Sequence, residues 1–196
     1  MKPVETGAIK KNGALVPADA VRLKDAAGSS DPLELINPYR FARPVAPSIA
    51  ARLKEVRIDF RKIKRCYLEL KKRHEISLVE GAGGILTPLT GKKTIADLIA
   101  YLKIPAIIIV PQRLGAINQA LMAVEAAKAK GVKVRGIILN SLDGKNCRGL
   151  KYNKAEIERL SKTAVLGIVH YEKNKAALFK EGGPLSKILK RVTCLP

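Results

Sequence analysis

Tryptophan is absent, aromatic residues make up only 4% of the chain, and the three cysteines never form a C-x-x-C pair. Each shortage excludes something. Nucleic-acid modules that read single strands stack bases on aromatic rings, and this chain has few rings to offer. Cys66, Cys147 and Cys194 are too scattered for a disulfide framework or a zinc site, and they fit a reducing cytoplasm. The longest strongly apolar run, PAIIIVP at 105–111, falls far short of the roughly 20 residues that span a bilayer. The opening MKPVETGAIKKNG lacks the apolar stretch of a secretory signal. The expectation is a soluble cytoplasmic protein without a membrane segment.

Acidic residues are scarce too, 17 against 37 basic ones, for a net charge of +20. The excess is densest in RLKEVRIDFRKIKRCYLELKKRH, residues 52–74. There Phe60, Ile63, Tyr67 and Leu70 recur at helical spacing, while Arg61, Lys62, Lys64, Arg65, Lys71 and Lys72 fill most other positions. This pattern predicts an amphipathic helix with a solvated basic face rather than a nucleic-acid-binding element. A small polyanionic ligand would also benefit from such a field.

With 47% apolar residues the chain can bury one sizeable core, and we expect a single α/β domain over 1–196. From residue 75 onward apolar strands alternate with helical patterns. EISLVE (75–80), PAIIIV (105–110), VKVRGIILN (132–140) and TAVLGIV (163–169) read as strands, PAIIIV as one covered on both faces. TIADLIAYLK (94–103), capped by Thr94, GAINQALMAVEAAKAKG (115–131), 153–162, 173–180 and 185–192 read as helices. Earlier, KPVET (2–6) could be a strand, 18–27 and 47–55 short helices, and INPYRFARPVAP (36–47) a proline-punctuated loop. This is the grammar of a parallel sheet flanked by helices.

In such sheets ligands bind at the carboxyl ends of strands, where Glu80 stands before Gly81, Ala82, Gly83 and Gly84. A carboxylate there can hold Mg²⁺, and glycines let backbone N–H groups approach an anion. The residues alone leave a purely structural turn equally open.

VEGAGGILTPL resembles the signature of dethiobiotin synthetases, and four more segments match that family in the same order. They are KPVETG (2–7), Asp19–Leu23, NPYRFARPVAP (37–47) and RLGAINQAL (113–121). The resemblance covers residues 1 to about 170. It implies a P-loop NTPase-like α/β fold and an enzyme that turns 7,8-diaminopelargonate, CO2 and ATP into dethiobiotin, ADP and phosphate. It also implies roles. Lys2 would neutralise the carbamate and the transferring phosphoryl, and Thr6 would hydrogen-bond the carbamate. Asp19 and Glu80 would be Mg²⁺ carboxylates, Glu80 lying also at the nucleotide, while Gly83 and Gly84 would offer donors to substrate anions. Gly115 and Asn118 would reach the substrate carboxylate from the partner subunit of a homodimer with shared sites, and Asn140 would read the adenine.

The sequence departs from the family in two places. None of the 15 glycines opens a G-x-x-x-x-G-K-[ST] phosphate loop, which the family carries on a strand–loop–helix unit before its K-P-V segment. Relative to the family the fold is therefore expected to be N-terminally truncated. His170, to which we assign no role, follows Gly167–Ile168–Val169 where the family has proline. Three rival readings remain: a non-catalytic dimerising paralogue or gene remnant, a related ATP-dependent synthase of cobalamin assembly, and a basic nucleic-acid-binding protein.

Overall fold

In a computed structural model, which describes residues 1–142, 148–173, 178 and 183–193, the chain divides into two units, Met1–Leu102 and Lys103–Pro196. The expected helix at 173–180, together with Cys147 and Cys194, lies largely or wholly outside the described residues.

In the first unit, β1 (Val4–Thr6) pairs in parallel with β4 (Tyr39–Phe41), Val4 facing Tyr39 and Thr6 facing Phe41. The chain between them forms a hairpin of β2 (Ile9–Lys11) and β3 (Ala14–Val16), then helices α1 (Ala18–Ala26) and α2 (Leu33–Ile36). β4 corrects the expectation of a loop at 36–47. Its Y-R-F alternation buries Tyr39 and Phe41, a strand pattern that the surrounding prolines conceal. After α3 (Pro47–Leu53) comes α4 (Phe60–Arg73), whose first free N–H groups are capped by Asp59 accepting from the Arg61 N–H at 2.8 Å. α4 buries Phe60, Ile63, Tyr67 and Leu70 and turns its basic side to water, as its spacing predicts. A short hairpin, β5 (Pro88–Thr90) and β6 (Lys93–Thr94), leads into α5 (Ile95–Leu102). At the start of α5, the Asp97 carboxylate accepts from both the N–H and the hydroxyl of Thr94, at 2.8 Å each.

Residues 75–80 do not form a strand, contrary to their pattern. Glu80 N–H bonds the Met1 carbonyl at 2.9 Å, but Ile76 and Leu78 are 64% and 70% exposed. An apolar alternation shows which face a segment would bury. A strand also needs neighbours that complete its ladder and cover that face.

One polar cluster in this unit carries a pH prediction. The buried Asp31 carboxylate accepts from the Ser29 hydroxyl (2.7 Å), contacts His74 Nε2, and receives the Arg73 guanidinium at 3.3 Å. Arg73 also grips Glu69 at 2.8 Å. The Ser29 hydrogen bond first, then His74 and Arg73, hold the Asp31 carboxyl below its ordinary 3.8. A depressed carboxylate adds stability that is complete above the unfolded value and lost as pH falls through the folded one. The contribution of Asp31 is therefore expected to be complete above about pH 3.8 and lost as pH falls below it. Ser29→Ala should move the Asp31 titration upward in a carboxyl ¹³C NMR series, and no movement would refute the hydroxyl's role.

In the second unit, β7 (Ala106–Pro111), β8 (Val134–Asn140) and β9 (Val165–Val169) form one parallel sheet in that order. α6 (Ala116–Ala129) and α7 (Asn153–Ser161) supply Ala120, Val124 and Ile157 to one face, against Val110, Ile137 and Leu139. α8 (Pro184–Thr193) sets Ile188 against Leu166 and Val169 on the other. That contact needs Gly167, because a Cβ there would lie 2.4 Å from Ile188 Cγ1. β7 is less enclosed than its continuous apolar run predicts. It is an edge strand of this sheet, and Ile109 is 57% exposed.

Candidate active site

Three of the residues singled out in the sequence converge in the first unit. The Lys2 ammonium lies 2.6 Å from Glu80 Oε1, 3.4 Å from Asp19 Oδ2 and 3.3 Å from the Gly81 carbonyl oxygen. Its side chain is 7% exposed, whereas those of Asp19 and Glu80 are 50% and 52% exposed. A desolvated cation thus sits beneath two carboxylates that still face solvent. Buried alone, the ammonium would be costly, and the pairing with Glu80 offsets that cost.

Backbone contacts hold Lys2 in place. Its N–H donates to the Ile36 carbonyl at 2.8 Å, and its carbonyl accepts from Asn37 Nδ2 at 2.7 Å. The same Asn37 amide donates to the Tyr39 carbonyl at 3.2 Å, tying the start of β4 to the chain ahead of β1. Asn37 is fully buried, so it is a structural clamp of the site rather than a surface turn residue.

Asp19 is positioned by a residue that the sequence reading passed over. α1 begins after Pro17, which provides no side-chain cap. The Glu5 carboxylate replaces that cap from β1, accepting the N–H of Asp19 at 3.0 Å and of Ala20 at 2.9 Å. Glu5 is only 4% exposed, and a buried acid inside the apolar VET strand was the available signal. A carboxylate at a helix N-terminus also complements the helix dipole. Glu5→Ala is expected to cost about 1–3 kcal/mol by stranding these donors. Glu5→Gln, which keeps one acceptor, should cost less. Urea melts of both variants check the order, and equal costs would refute the cap.

Among the described residues, Thr6, Gly83 and Gly84 share no hydrogen bond or ion pair with Lys2, Asp19 or Glu80. Thr6 ends β1 opposite Phe41. Gly83 and Gly84 lie in an exposed turn closed by Thr87 N–H donating to the Gly84 carbonyl at 2.9 Å. Gly83 has φ +82°, and a Cβ there would meet Thr87 Oγ1 at 2.7 Å, so this turn requires glycine. Gly81, which was given no role, is the glycine that touches Lys2.

In the second unit, Gly115 (φ +91°) caps α6, and Asn118 lies exposed in its first turn, after the carboxyl end of β7. Asn140 ends β8, in register with Pro111 and Val169, and its carbonyl accepts from the Gln112 N–H at 2.8 Å. All three therefore occupy the strand-end side of their own sheet, where α/β folds place ligand groups. His170 is exposed just beyond β9.

The donor set suits a hard divalent cation. Mg²⁺ commonly takes one or two carboxylates and completes its shell with water and phosphate oxygens. Asp19 and Glu80 supply two such carboxylates beside one ammonium. Among the described residues no group of three or more His, Cys, Asp or Glu side chains forms a full protein cage.

A family model described as "AAA domain" matches residues 1–177. An ATP-dependent dethiobiotin synthetase BioD from Anaeromyxobacter dehalogenans (strain 2CP-C) is 38% identical over 172 residues, covering 88% of this chain and 75% of that protein. One from Methanococcus vannielii is 33% identical over 175 residues, covering 89% and 79%. Among solved structures, the MinC:MinD cell division protein complex of Aquifex aeolicus matches with a TM-score of 0.52 at 15% identity, covering 98% of this chain and 82% of that one. At that identity the likeness concerns the fold alone. Parallel strands flanked by helices place the protein in the P-loop NTPase-like α/β class. Within that class, the chain belongs to the ATP-dependent dethiobiotin synthetase family. No helix among the described residues is long and apolar enough to cross a membrane.

Proposed function

We propose that this protein is the ATP-dependent dethiobiotin synthase of biotin biosynthesis, a cyclo-ligase closing a urea ring on 7,8-diaminopelargonate with CO2. The observation that carries the reading is the Lys2 ammonium, enclosed and set against Glu80 at 2.6 Å, in a chain 38% identical to a named synthetase. In this reaction one amine of the substrate takes up CO2 as a carbamate. A carbamate oxygen then attacks the terminal phosphoryl of ATP, and ADP departs. The second amine finally attacks the activated carbon, and phosphate leaves as the ring closes.

Each step gathers negative charge where Lys2 can meet it. A preorganised ammonium needs little reorganisation as that charge develops, which is the condition for electrostatic catalysis. Thr6 is the group we assign to the carbamate, and Gly83 and Gly84 are those we assign to substrate anions. Asp19 and Glu80 would hold Mg²⁺, which when bound neutralises phosphate charge. Gly115 and Asn118, at a helix start suited to a carboxylate, would bind the substrate's acid end from the second copy of a cytoplasmic homodimer. Asn140 would read the adenine.

The test is dethiobiotin formation, followed by mass spectrometry, from diaminopelargonate, bicarbonate and Mg-ATP. Because residues 1–196 hold no G-x-x-x-x-G-K-[ST] loop, the endogenous protein is assayed beside the 196-residue chain, and its intact mass is measured first. Product from the endogenous protein alone would locate the phosphate loop outside these residues. No product from either, with both folded, would sink the proposal.

A further inference from the structure

The synthase reading does not account for the charge gathered around the start of α4. A cleft of about 820 Å³ opens there in the first unit, between residues 57–61 and the β5–β6 hairpin. Arg57, Arg61, Lys92 and Lys93 all line it, against the single carboxylate of Asp59. That carboxylate is already engaged, accepting the Arg61 N–H at 2.8 Å and pairing with the Arg61 guanidinium at 3.4 Å. Arg61 and its own N–H hold the Asp59 carboxyl below its usual range, so it stays charged and committed to α4. Among the residues lining the cleft, four cations face the one carboxylate of Asp59, which leaves an excess of positive charge around a concavity.

The lining is not merely basic. Ile58 and Phe60, both buried, line its base, and Tyr101, a residue 37% exposed, adds a ring whose centroid is 5.8 Å from that of Phe60. Lysines already bracket these rings, with Lys93 Nζ 5.4 Å from the Phe60 centroid and Lys64 Nζ 5.1 Å from that of Tyr101. α4 also begins at this cleft, its N-terminal N–H groups already capped by Asp59, so an anion there would rest on the side-chain cations. Cations that merely keep a surface soluble have no need of a hollow with an aromatic wall. Small-ligand sites combine such a largely apolar hollow with a few placed polar groups, and this volume lies in their usual range of roughly 300–1,000 Å³.

We infer that this cleft is a second ligand site, for a small phosphorylated anion carrying a flat ring, of the nucleotide class. The phosphoryl group would take Arg57, Lys92 and Lys93, and the ring would lie against Tyr101. The inference does not depend on the roles given to Lys2, Asp19 and Glu80.

The test titrates AMP and inorganic pyrophosphate into the 196-residue chain, by calorimetry and by ¹H–¹⁵N chemical shifts at Gly91. Neither probe can donate a γ-phosphoryl group. Arg57→Gln with Lys92→Gln, both exposed positions, should weaken both probes by about 10-fold or more, the scale of one lost charged hydrogen bond. Tyr101→Leu should weaken AMP and leave pyrophosphate unchanged. Lys10→Gln with Lys11→Gln on the exposed β2 strand removes the same charge elsewhere and should change little. Glu80→Gln should leave AMP binding in the cleft intact, which separates this site from the proposed active site. Equal weakening by the Lys10/Lys11 pair would reduce the cleft to general surface charge and overturn the inference. Binding of a single-stranded RNA oligomer, with neither AMP nor pyrophosphate bound, would overturn it as well.

Discussion

Lys2→Gln is expected to lower the turnover of dethiobiotin synthesis by about 10²–10³-fold, the usual cost of losing one preorganised group that stabilises a developing anion. Glutamine can still donate to Glu80, and both carboxylates are about half exposed, so hydration compensates the lost charge in the resting protein. The fold should therefore survive, as circular dichroism and a urea melt would show. Lys2→Arg makes the complementary comparison. It keeps the charge but replaces a compact ammonium with a broad planar group in a position only 5% exposed. It should therefore remain well below the native rate. Rapid-quench or steady-state phosphate release from both variants supplies the numbers. A Lys2→Gln enzyme within a few-fold of native would remove the lysine from the chemistry and leave it a structural ion pair.

Glu80→Gln carries the second large expectation. The amide retains the shape and one acceptor for the Lys2 ammonium, so the 2.6 Å contact can persist in weaker form. What disappears is the charge that a divalent cation requires. Losing even an outer-sphere partner of a metal site commonly costs about 10–100-fold in affinity or activity, and losing a ligand should cost at least that much. Mn²⁺ binding, followed by its paramagnetic signal in the presence of ATP, reads this without relying on turnover. Asp19→Asn should behave similarly. If Mn²⁺ affinity is unchanged in both variants, the metal assignment fails, while the Lys2 expectation stands or falls separately.

Much of this protein is legible in one dimension. The buried stripe of α4 follows directly from Phe60, Ile63, Tyr67 and Leu70 at intervals of three and four. β8 and α6 are as plain, because continuous apolar or helix-forming runs leave few other ways to satisfy the backbone. The segments around Lys2, Asp19 and Glu80 could be recognised as a set because they occur in family order. Local pattern misled where it was short or interrupted. β4 spans three residues among prolines, and residues 75–80 have an apolar rhythm without the neighbours a strand needs.

The sequence by itself determined the class of fold, the family and the charge balance, and it named Lys2, Asp19 and Glu80 as the candidates we propose for the site. Those depend on residue type and spacing, which the chain states outright. Only the tertiary structure decided that Lys2 is enclosed and faces two carboxylates 17 and 78 residues away. It likewise made Glu5 the cap that α1 lacks, made Asn37 a clamp, and gathered the charge of two distant segments around one cleft. Burial, pairing and capping are properties of groups brought together by the folded backbone. A lysine next to a proline has the same spelling whether it waves in water or holds an active site's charge.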